Sequence, residues 1–275
     1  MIKKRIAILV PSNAGFLRTK FAESLVAVVL NFGVWNAAKG NKYILDCFIQ
    51  QKGYDISFMR EQLARVALEQ KFDYLIHLDS YETFPPHLVQ MFMESFEKDA
   101  ALQAITGLYH FKTPPFCAHA YHAYDEVDDK FTLLAGFPLE RPFPVQGAGF
   151  GVLAMKREVY EQVPRPFFKM VNGVMGEDLG FFRKYIKTNG RPVRMVLDPR
   201  IQVGHLTEVS IGLKSYLKAN GLKVENKTIK VPDKTLKRID GFQRKLTEGF
   251  KSVAGEESVQ EDLCALCSTK FAQKK

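Results

Sequence analysis

The sequence is poor in the residues that mark several common classes of protein. Of its 275 residues, four are cysteine and one is tryptophan. Four cysteines in a chain of this length are too few for the disulfide framework of a small secreted protein. The lone C-x-x-C formed by Cys264 and Cys267 is a weak zinc or redox signal, since no second pair accompanies it. The alternative is that both cysteines lie on a helix and face a packing surface, with no role in zinc binding or redox chemistry.

Long hydrophobic runs are also missing. Five apolar residues stand between Arg5 and Pro11, too few for the core of a signal peptide. No run in the sequence approaches the roughly 20 apolar residues that a membrane span needs. We therefore expect a soluble, cytoplasmic protein without a transmembrane segment.

The composition is that of a folded protein with a basic surface. Hydrophobic residues make up 46% of the chain and aromatic residues 12%, so we expect the main body of the chain to be folded and not disordered. Lysine and arginine number 39 against 30 acidic residues, and many of these cations fall between residues 214 and 251. A net charge of +9 favours anionic partners, such as nucleotide sugars, nucleic acid or a phospholipid surface, without selecting among them.

Short apolar runs alternate with helix-compatible segments through the first half of the chain. The runs at 4–10 and 74–78 have the length of buried strands, and helical patterns follow at 19–32 and 55–70. This alternation predicts an α/β fold with a largely parallel sheet. The turn after the first strand contains neither a P-loop nor a G-x-G-x-x-G pattern.

Polar residues follow the predicted strand at 74–78. Asp79, Ser80, Tyr81 and Glu82 come directly after it, at the strand end where open α/β sheets bind ligands. Carboxylates in such a position can hold a divalent cation, and the cation can hold a diphosphate. The alternative is an acidic turn that only solvates a loop.

Two later segments carry further candidates. Gly147, Gly149 and Gly151 stand just before a predicted strand at 152–155, where they allow close approach to the backbone or form a simple bulge. The segment from Gly176 to Gly190 is a well-marked helix, with Glu177 and Asp178 in its first turn. Acidic residues interact favourably with the N-terminal end of a helix dipole, which is one explanation for them. The other is that one of these two adjacent carboxylates, if it lies near Asp79, acts as a general base.

In the segment at 109–129 the hydrophobic residues do not repeat at the spacing of a helix or a strand, so a long loop over the sheet is predicted there. Within it, Cys117, His119 and His122 offer zinc ligands without a fourth partner at useful spacing. Elsewhere, Arg60 and Arg65 lie off the apolar stripe of their helix. Each either reaches toward the acidic turn or a phosphate at the strand ends, or is solvated. His205 follows a predicted strand and is either packed, solvated or a ligand. The strands predicted last are 193–197 and 201–203.

Taken in order, these segments resemble the GT-A glycosyltransferases, most closely family 2 and its phage-associated relatives. The resemblance covers about residues 5 to 207. It rests on ILVPSN, MREQLARVAL, LIHLDSYETFPP, GLYHFKTPPF, GAGFGVLAMKREVYEQV, GEDLGFFRKYIKTNG and VGH. It implies a Rossmann-like domain over 1–207, with a mixed, mostly parallel central sheet flanked by helices. Residues 208–275 would form a basic, largely helical C-terminal extension.

The resemblance also assigns roles. Pro11 and Ser12 would lie beside the base of a nucleotide sugar, Asp79 would be the first carboxylate of the DxD motif, and Asp178, next to Glu177, would be the catalytic base. The full donor-binding set, with both arginines added, is Pro11, Ser12, Arg60, Arg65, Asp79, Ser80, Gly149 and Phe150. The implied metal ligands for Mn²⁺ or Mg²⁺ are Asp79, Glu82 and His205. One departure is Tyr81, which stands where the family usually has its second Asp.

The activity implied is inverting transfer of a sugar from a nucleoside-diphosphate sugar, here a UDP-sugar, to an acceptor hydroxyl. The sequence does not identify the acceptor: the basic C-terminal part admits DNA with a modified base or another polyanion, and a glycan is the alternative. That part can equally meet an anionic lipid surface or a partner protein. The alternative function is a non-catalytic binding or assembly protein that has lost its metal site, and a nucleotidyltransferase is a more distant one.

Overall fold

The structure is a computed structural model that describes residues 3–12, 16–51, 55–171, 175–207 and 210–253. Its elements are, in chain order, β1 (Lys4–Ser12), α1 (Thr19–Ala38), β2 (Tyr43–Gln51), α2 (Ile56–Glu69), β3 (Tyr74–Leu78), β4 (Glu82–Thr83), α3 (Leu88–Lys98), β5 (Ala104–Leu108), β6 (Ala120–Asp125), β7 (Lys130–Leu133), β8 (Phe143–Val145), β9 (Gly147–Ala148), β10 (Val152–Lys156), α4 (Arg157–Glu161), α5 (Glu177–Asn189), β11 (Met195–Gln202), β12 (Gly204–Leu206), β13 (Ser210–Ile211), α6 (Leu213–Asn220), β14 (Val224–Glu225), β15 (Thr228–Ile229) and α7 (Asp233–Val253).

A seven-stranded sheet forms the centre of the molecule. Its strand order is β2-β1-β3-β10-β5-β11-β8. Strands β2, β1, β3, β5 and β11 run in one direction, while β10 and β8 run against their neighbours. The predicted fold class, a mixed and mostly parallel sheet flanked by helices, is confirmed.

Strand β1 shows why the central strands form where the apolar runs predict them. Ile6, Ile8 and Val10 face the side of the sheet covered by α1 and α3, and Ala7 and Leu9 face the side covered by α2 and α5. All five side chains are fully buried. Burial of each large aliphatic side chain contributes about 1.5–3 kcal/mol. A strand covered on both faces therefore appears in the sequence as a continuous apolar run.

The topology gathers several segments at one edge of the sheet. Strands β1, β3 and β5 all end there, and because β10 is antiparallel to β3 and β5, β10 begins there. The backbone N–H of Asp79 donates to the carbonyl of Gly151 at 2.9 Å, which joins the acidic turn to the glycine segment. This is the edge at which α/β sheets bind ligands.

Two predictions about strands are wrong. The segment at 109–129 is not a continuous loop, because it contains β6, which pairs antiparallel with β7 and β9. The strands predicted at 193–197 and 201–203 form one strand, β11, whose pairing with β5 shifts register between Asp198 and Gln202. Such an irregularity accommodates Pro199 in the interior of a strand, where proline otherwise breaks the hydrogen-bond ladder.

The described part of the C-terminal extension packs on the rest of the chain. Tyr216, Leu222, Ile229 and Ile239 belong to the same buried cluster as α2 and α5. The side-chain amide of Gln243 on α7 accepts a hydrogen bond from the backbone N–H of Leu133 at 3.3 Å. The predicted helices of the extension are present as α6 and α7. Its division from the rest at residue 207 stays a prediction, and Cys264 and Cys267 lie outside the described residues.

Helix α1 is more apolar than the sequence pattern suggested. Among the described residues it is a helix long and apolar enough to cross a membrane by length and composition, and 28% of its most apolar window is buried against the protein. Its inner face packs through Phe21, Val28 and Phe32, while Leu30 and Val34 on the outer face are exposed. The expected absence of a membrane span stays a prediction.

Candidate active site

Arg60 joins three of the segments that carry candidate residues. It projects from α2, where its side chain is only 4% exposed. One guanidinium nitrogen, Nη2, donates to both carboxylate oxygens of Asp79 at 2.9 Å, and the other, Nη1, donates to Oε1 of Glu177. Asp79 and the first turn of α5 are therefore held at one place, at the ligand edge of the sheet. Of the two predicted outcomes for this residue, reaching the acidic turn is the one observed.

Arg65 lies elsewhere. It is exposed on α2, where its guanidinium contacts Gln62 at 2.6 Å and Glu69 at 3.8 Å. Five positions after Arg60 correspond to about 500° around the helix axis, which places the two side chains far apart on its circumference. Arg65 matches the solvated alternative, and the structure does not bring it to the cleft.

Glu177 and Asp178 have opposite electrostatic environments. Burial raises the pKa of Glu177 to about 7, with a further contribution from Asp178 and against the effect of Arg60. For Asp178, burial acts in the same sense, but the hydrogen bond and charge of His119, together with Arg60, bring its pKa below the ordinary value. The Asp178 carboxylate lies 3.3 Å from Nε2 of His119 through Oδ2 and accepts the backbone N–H of Leu179 at 2.7 Å through Oδ1.

His119 is fixed by aromatic neighbours and by the absence of a side chain at Gly149. Its ring lies 4.2 Å from that of Phe111 and 5.3 Å from that of Tyr109, measured between centroids. A Cβ atom on Gly149 would stand 2.0 Å from the Tyr109 hydroxyl and 2.5 Å from the His119 ring. Only glycine therefore permits this arrangement. The sequence gives no sign that His119 is the partner of Asp178, because the two residues are distant along the chain.

Phe150 requires a correction. The prediction places it on the lining of the donor cleft, but its side chain is fully buried. It packs under the guanidinium of Arg60 at 5.6 Å and against the ring of His77 at 4.9 Å. Burial of a large aromatic ring is energetically favourable, so this side chain packs in the core and not on the surface of the cleft. Phe150 supports the site from beneath and does not line it.

Pro11, Ser12 and Ser80 also lie at this edge, and all three are buried. The Ser12 hydroxyl donates to the carbonyl oxygen of Phe16 at 3.2 Å. Ser80 is 3% exposed between Asp79 and Tyr81. Their contacts with a nucleotide stay predictions.

Glu82 and His205 form a second polar pair. They face each other across the antiparallel strands β4 and β12, with 3.5 Å between Oε1 of Glu82 and Nε2 of His205. His205 donates its Nδ1–H to the carbonyl oxygen of His110 at 2.8 Å, which assigns the proton to Nδ1 and leaves Nε2 as an acceptor. Burial raises the pKa of Glu82 well above its ordinary value and lowers that of His205 to about 4.

The three predicted metal ligands do not assemble into one site. Glu82 and His205 are adjacent, and within the described ranges both carboxylate oxygens of Glu82 are buried without a hydrogen-bond partner. The Asp79 carboxylate, however, is occupied by Arg60. In the part of the chain that the structure describes, no group of three His, Cys, Asp or Glu residues is placed to hold a metal ion. A buried carboxylate and an imidazole alone do not fit a Mn²⁺ or Mg²⁺ site, since these ions take about six ligands, mostly oxygen.

Tyr81, at the position of the missing second Asp, has two cationic side chains near its ring. Nζ of Lys112 is 4.3 Å from the centroid of its ring, and Cζ of Arg18 is 5.0 Å from the same centroid. Neither cation was predicted as a site residue, because only the fold brings the residues after β1, β3 and β5 together.

The weak zinc candidate is not formed. Cys117 is buried, and burial raises the pKa of its thiol to about 12. His119 is the partner of Asp178, while His122 is exposed on β6. No zinc site combines these three side chains among the described residues.

Comparison with known proteins finds similar folds among solved structures but no similar sequence family. The chain matches no protein-family model and no curated protein sequence. Among solved structures it is similar to A197 from STIV, with a TM-score of 0.52 and 20% identity over 84% of this chain and 95% of that chain. It is also similar to GalNAc-T7 with UDP, GalNAc and Mn²⁺ (TM-score 0.47, 16% identity, 74% of this chain and 43% of that chain). A glycosyltransferase involved in glycosylation of the major capsid of PBCV-1 is similar as well (TM-score 0.34, 12% identity, 70% and 81%).

The last two likenesses are too distant in structure to carry a conclusion about this chain. At 20% identity, the likeness to A197 concerns the fold alone. The chain therefore has the overall fold of A197 from STIV, built around the mixed, mostly parallel sheet described above.

Proposed function

We propose that this protein is a nucleotide-sugar-dependent glycosyltransferase that transfers its sugar with inversion. The observation that carries the proposal is the joining of Asp79 and Glu177 through the buried Arg60, with Asp178 beside them, at the ligand edge of the sheet. Carboxylates gathered there supply the groups that a sugar transfer needs. The resemblance of the ordered motifs to GT-A enzymes supports the same assignment.

Asp178 is the proposed general base. Its pKa lies below the ordinary value, so it is ionised at neutral pH and able to accept a proton. In the proposed step, an acceptor hydroxyl attacks the anomeric carbon from the face opposite the leaving group, and its proton passes to the Asp178 carboxylate. The bond from the anomeric carbon to the diphosphate oxygen breaks, and the electron pair leaves with the nucleoside diphosphate. Attack from the opposite face inverts the anomeric centre.

Glu177 and Arg60 have a positioning role in this proposal. Arg60 is bonded to Asp79 on one side and Glu177 on the other, so it sets the distance between the donor-binding turn and the base. A fork of donors holds two carboxylates more rigidly than a single charge would.

The donor proposed is a UDP-sugar, with Pro11 and Ser12 beside the base, Asp79 near the ribose and Gly149 beside the sugar. The resemblance also implies Mn²⁺ or Mg²⁺ at the diphosphate, but the described residues do not fit such a site, and the proposed step does not depend on one. The acceptor proposed is a hydroxyl on a polyanion such as modified DNA, or on a glycan. Exposed cations on α7, among them Arg238 and Lys245, suit a polyanionic acceptor.

The test compares the wild-type protein with Asp178→Asn and with the control Asp128→Asn, an exposed aspartate in the turn between β6 and β7. UDP release from UDP-sugars is measured with and without Mn²⁺, and UDP binding is measured by calorimetry. We expect Asp178→Asn to lower turnover by about 10²- to 10⁴-fold while UDP binding persists, and Asp128→Asn to behave as wild type.

Undiminished turnover in Asp178→Asn would remove that residue as the base. A wild-type protein that binds UDP but turns over no sugar donor would favour the rival assignment, a non-catalytic binding or assembly protein. Neither binding nor release with any UDP-sugar would overturn the proposed donor.

A further inference from the structure

We propose that Arg18 and Lys112, held on the ring of Tyr81, bind the diphosphate of a nucleoside diphosphate directly and take the place of a divalent cation. This inference rests on the proposed function, since it concerns the donor of the same site. It assigns to Tyr81 a role different from that of the aspartate it replaces.

The three residues follow the carboxyl ends of three parallel strands of the central sheet. Arg18 lies in the connection from β1 to α1, Tyr81 follows β3, and Lys112 follows β5. These strands run in the same direction, so their carboxyl ends share one edge of the sheet. Asp79 and the start of α5 are held at that edge by Arg60. The two cations are thus placed at the mouth of the proposed donor site.

Tyr81 acts as a platform for both cations. An aromatic face attracts a cation within about 6 Å of its centroid, and Lys112 at 4.3 Å and Arg18 at 5.0 Å both satisfy this condition. A neutral phenol is a poor ligand for Mg²⁺ or Mn²⁺, which prefer carboxylates. The exchange of Asp for Tyr therefore removes a metal ligand and adds a surface on which organic cations can rest.

Both cations remain available to a ligand. Their side chains are exposed, and neither forms an ion pair with a carboxylate among the residues that the structure describes. Two like charges gathered on one ring repel each other, and an anion between them relieves that repulsion. The guanidinium of Arg18 can donate to two phosphate oxygens at once, while the ammonium of Lys112 acts as a compact charge. A diphosphate, with two adjacent anionic groups, matches this pair of donors.

The same arrangement supplies what the transfer step requires. Cleavage of the sugar–phosphate bond increases the negative charge on the leaving diphosphate, and preorganised cations stabilise that charge. The residues predicted for a metal do not assemble, because Arg60 occupies Asp79. Charge on the leaving group is accordingly balanced by side chains of the chain itself.

The test is calorimetric binding of inorganic diphosphate and of UDP to the full chain in EDTA. The proteins are wild type, Arg18→Ala, Lys112→Ala and the double variant. The matched control is Arg194→Ala, which removes an exposed arginine at the opposite edge of the sheet, paired with Asp99 at 3.0 Å. Thermal unfolding of every variant verifies that it is folded.

We expect wild type to bind both probes without metal, and each single variant to bind about tenfold more weakly, as expected for the loss of one charge-assisted contact. The double variant loses more than either, Arg194→Ala binds as wild type, and added Mn²⁺ changes the wild-type affinity by less than about threefold. Wild-type binding that requires Mn²⁺, no wild-type binding of either probe, or unchanged affinity in folded Arg18→Ala and Lys112→Ala would overturn the inference.

The two proposals fail separately. Diphosphate binding that depends on Arg18 and Lys112 in a protein without any transferase activity would refute the proposed function and leave the anion site intact. Sugar transfer that needs Mn²⁺ and is indifferent to both cations would support the function and refute the anion site.

Discussion

Asp178 and Glu177 are adjacent residues whose carboxyl groups meet different partners. Asp178 faces His119 at 3.3 Å, which favours its ionised form, whereas Glu177 is more affected by burial and by the charge of Asp178 itself. Carboxyl groups whose environments separate their pKa values are a common feature of catalytic sites. The pair was predictable from the sequence, but the partner that distinguishes its members was not.

Replacement of His119 by asparagine tests how Asp178 is kept ionised. Since the hydrogen bond and charge of His119 lower the pKa of Asp178, their loss raises it. The acid limb of the plot of log kcat against pH then moves to higher pH, with activity near pH 8 largely kept. An acid limb at the same pH in wild type and His119→Asn would contradict this role.

Glu82 provides a test of buried charge. Its folded-state pKa is raised above the ordinary value of 4.5, so the folded protein holds a proton that the unfolded chain releases above pH 4.5. Stability is thereby lost as pH rises from that value towards the folded pKa. The variant Glu82→Gln avoids this loss, and we expect its melting temperature to exceed that of wild type by a few degrees at pH 8, since about 1 kcal/mol corresponds to roughly 2–4 °C in a chain of this size.

At pH 4 the unfolded chain also holds most of that proton, and the melting temperatures of Glu82→Gln and wild type should nearly coincide. The measurement is thermal unfolding across this pH range. A difference that is the same at pH 4 and pH 8 would show that the substitution acts through packing and not through titration.

At the scale of elements, the sequence predicted most strands and helices but not how they meet. The apolar runs locate β1 and β3. The motif after Gly176 locates α5, which is followed directly by Gly190 with φ of +66°. The amino-acid composition of β10 does not indicate whether it runs parallel or antiparallel to its neighbours. Its antiparallel direction, however, is what brings Gly149 to the cleft. Arg60 was equally ambiguous, because the helical pattern excludes it from the main apolar stripe while tertiary contacts bury it.

Gly149 tests the close packing at the start of β10. An alanine there would place Cβ 2.0 Å from the Tyr109 hydroxyl and 2.5 Å from His119, so these rings must move. We expect Gly149→Ala to destabilise the protein by about 1–3 kcal/mol, as overpacked cores do, and to lower transferase activity through displacement of His119. Thermal unfolding and the turnover assay measure the two effects.

The control is Gly33→Ala on the exposed face of α1, where no atom lies within 4 Å of the added Cβ. That variant should be more stable than wild type by about 0.5–1 kcal/mol because alanine favours the helix. Equal melting temperatures for the two variants would contradict the packing described around Gly149.

At the scale of the whole molecule, the extension is the part that sequence patterns described least well. Its basic charge and its helices were predicted, but the contacts of Tyr216 and Ile239 with the core of the α/β domain were not. Long-range packing of this kind depends on surface shape, for which one sequence carries no signal. The same limit applies to the meeting of Arg18, Tyr81 and Lys112, which three separate loops bring together.

Truncation tests whether residues 1–207 form an independent unit. Since removal of the extension exposes the core around Phe131 and Leu133, we expect a chain ending at residue 207 to lose cooperative thermal unfolding or to melt well below the full chain. A chain ending at residue 253 keeps every described contact and is the matched control. Cooperative unfolding of the shorter fragment at the temperature of the full chain would establish the division at residue 207.

A crystal structure of the protein with UDP bound tests the central claim most directly. The account predicts the base beside Pro11 and Ser12, and the diphosphate between Arg18 and Lys112. The end of the diphosphate that carries the sugar would point towards Asp178. A nucleotide bound at another surface, or a diphosphate at this edge that contacts neither cation and points away from Asp178, would contradict it.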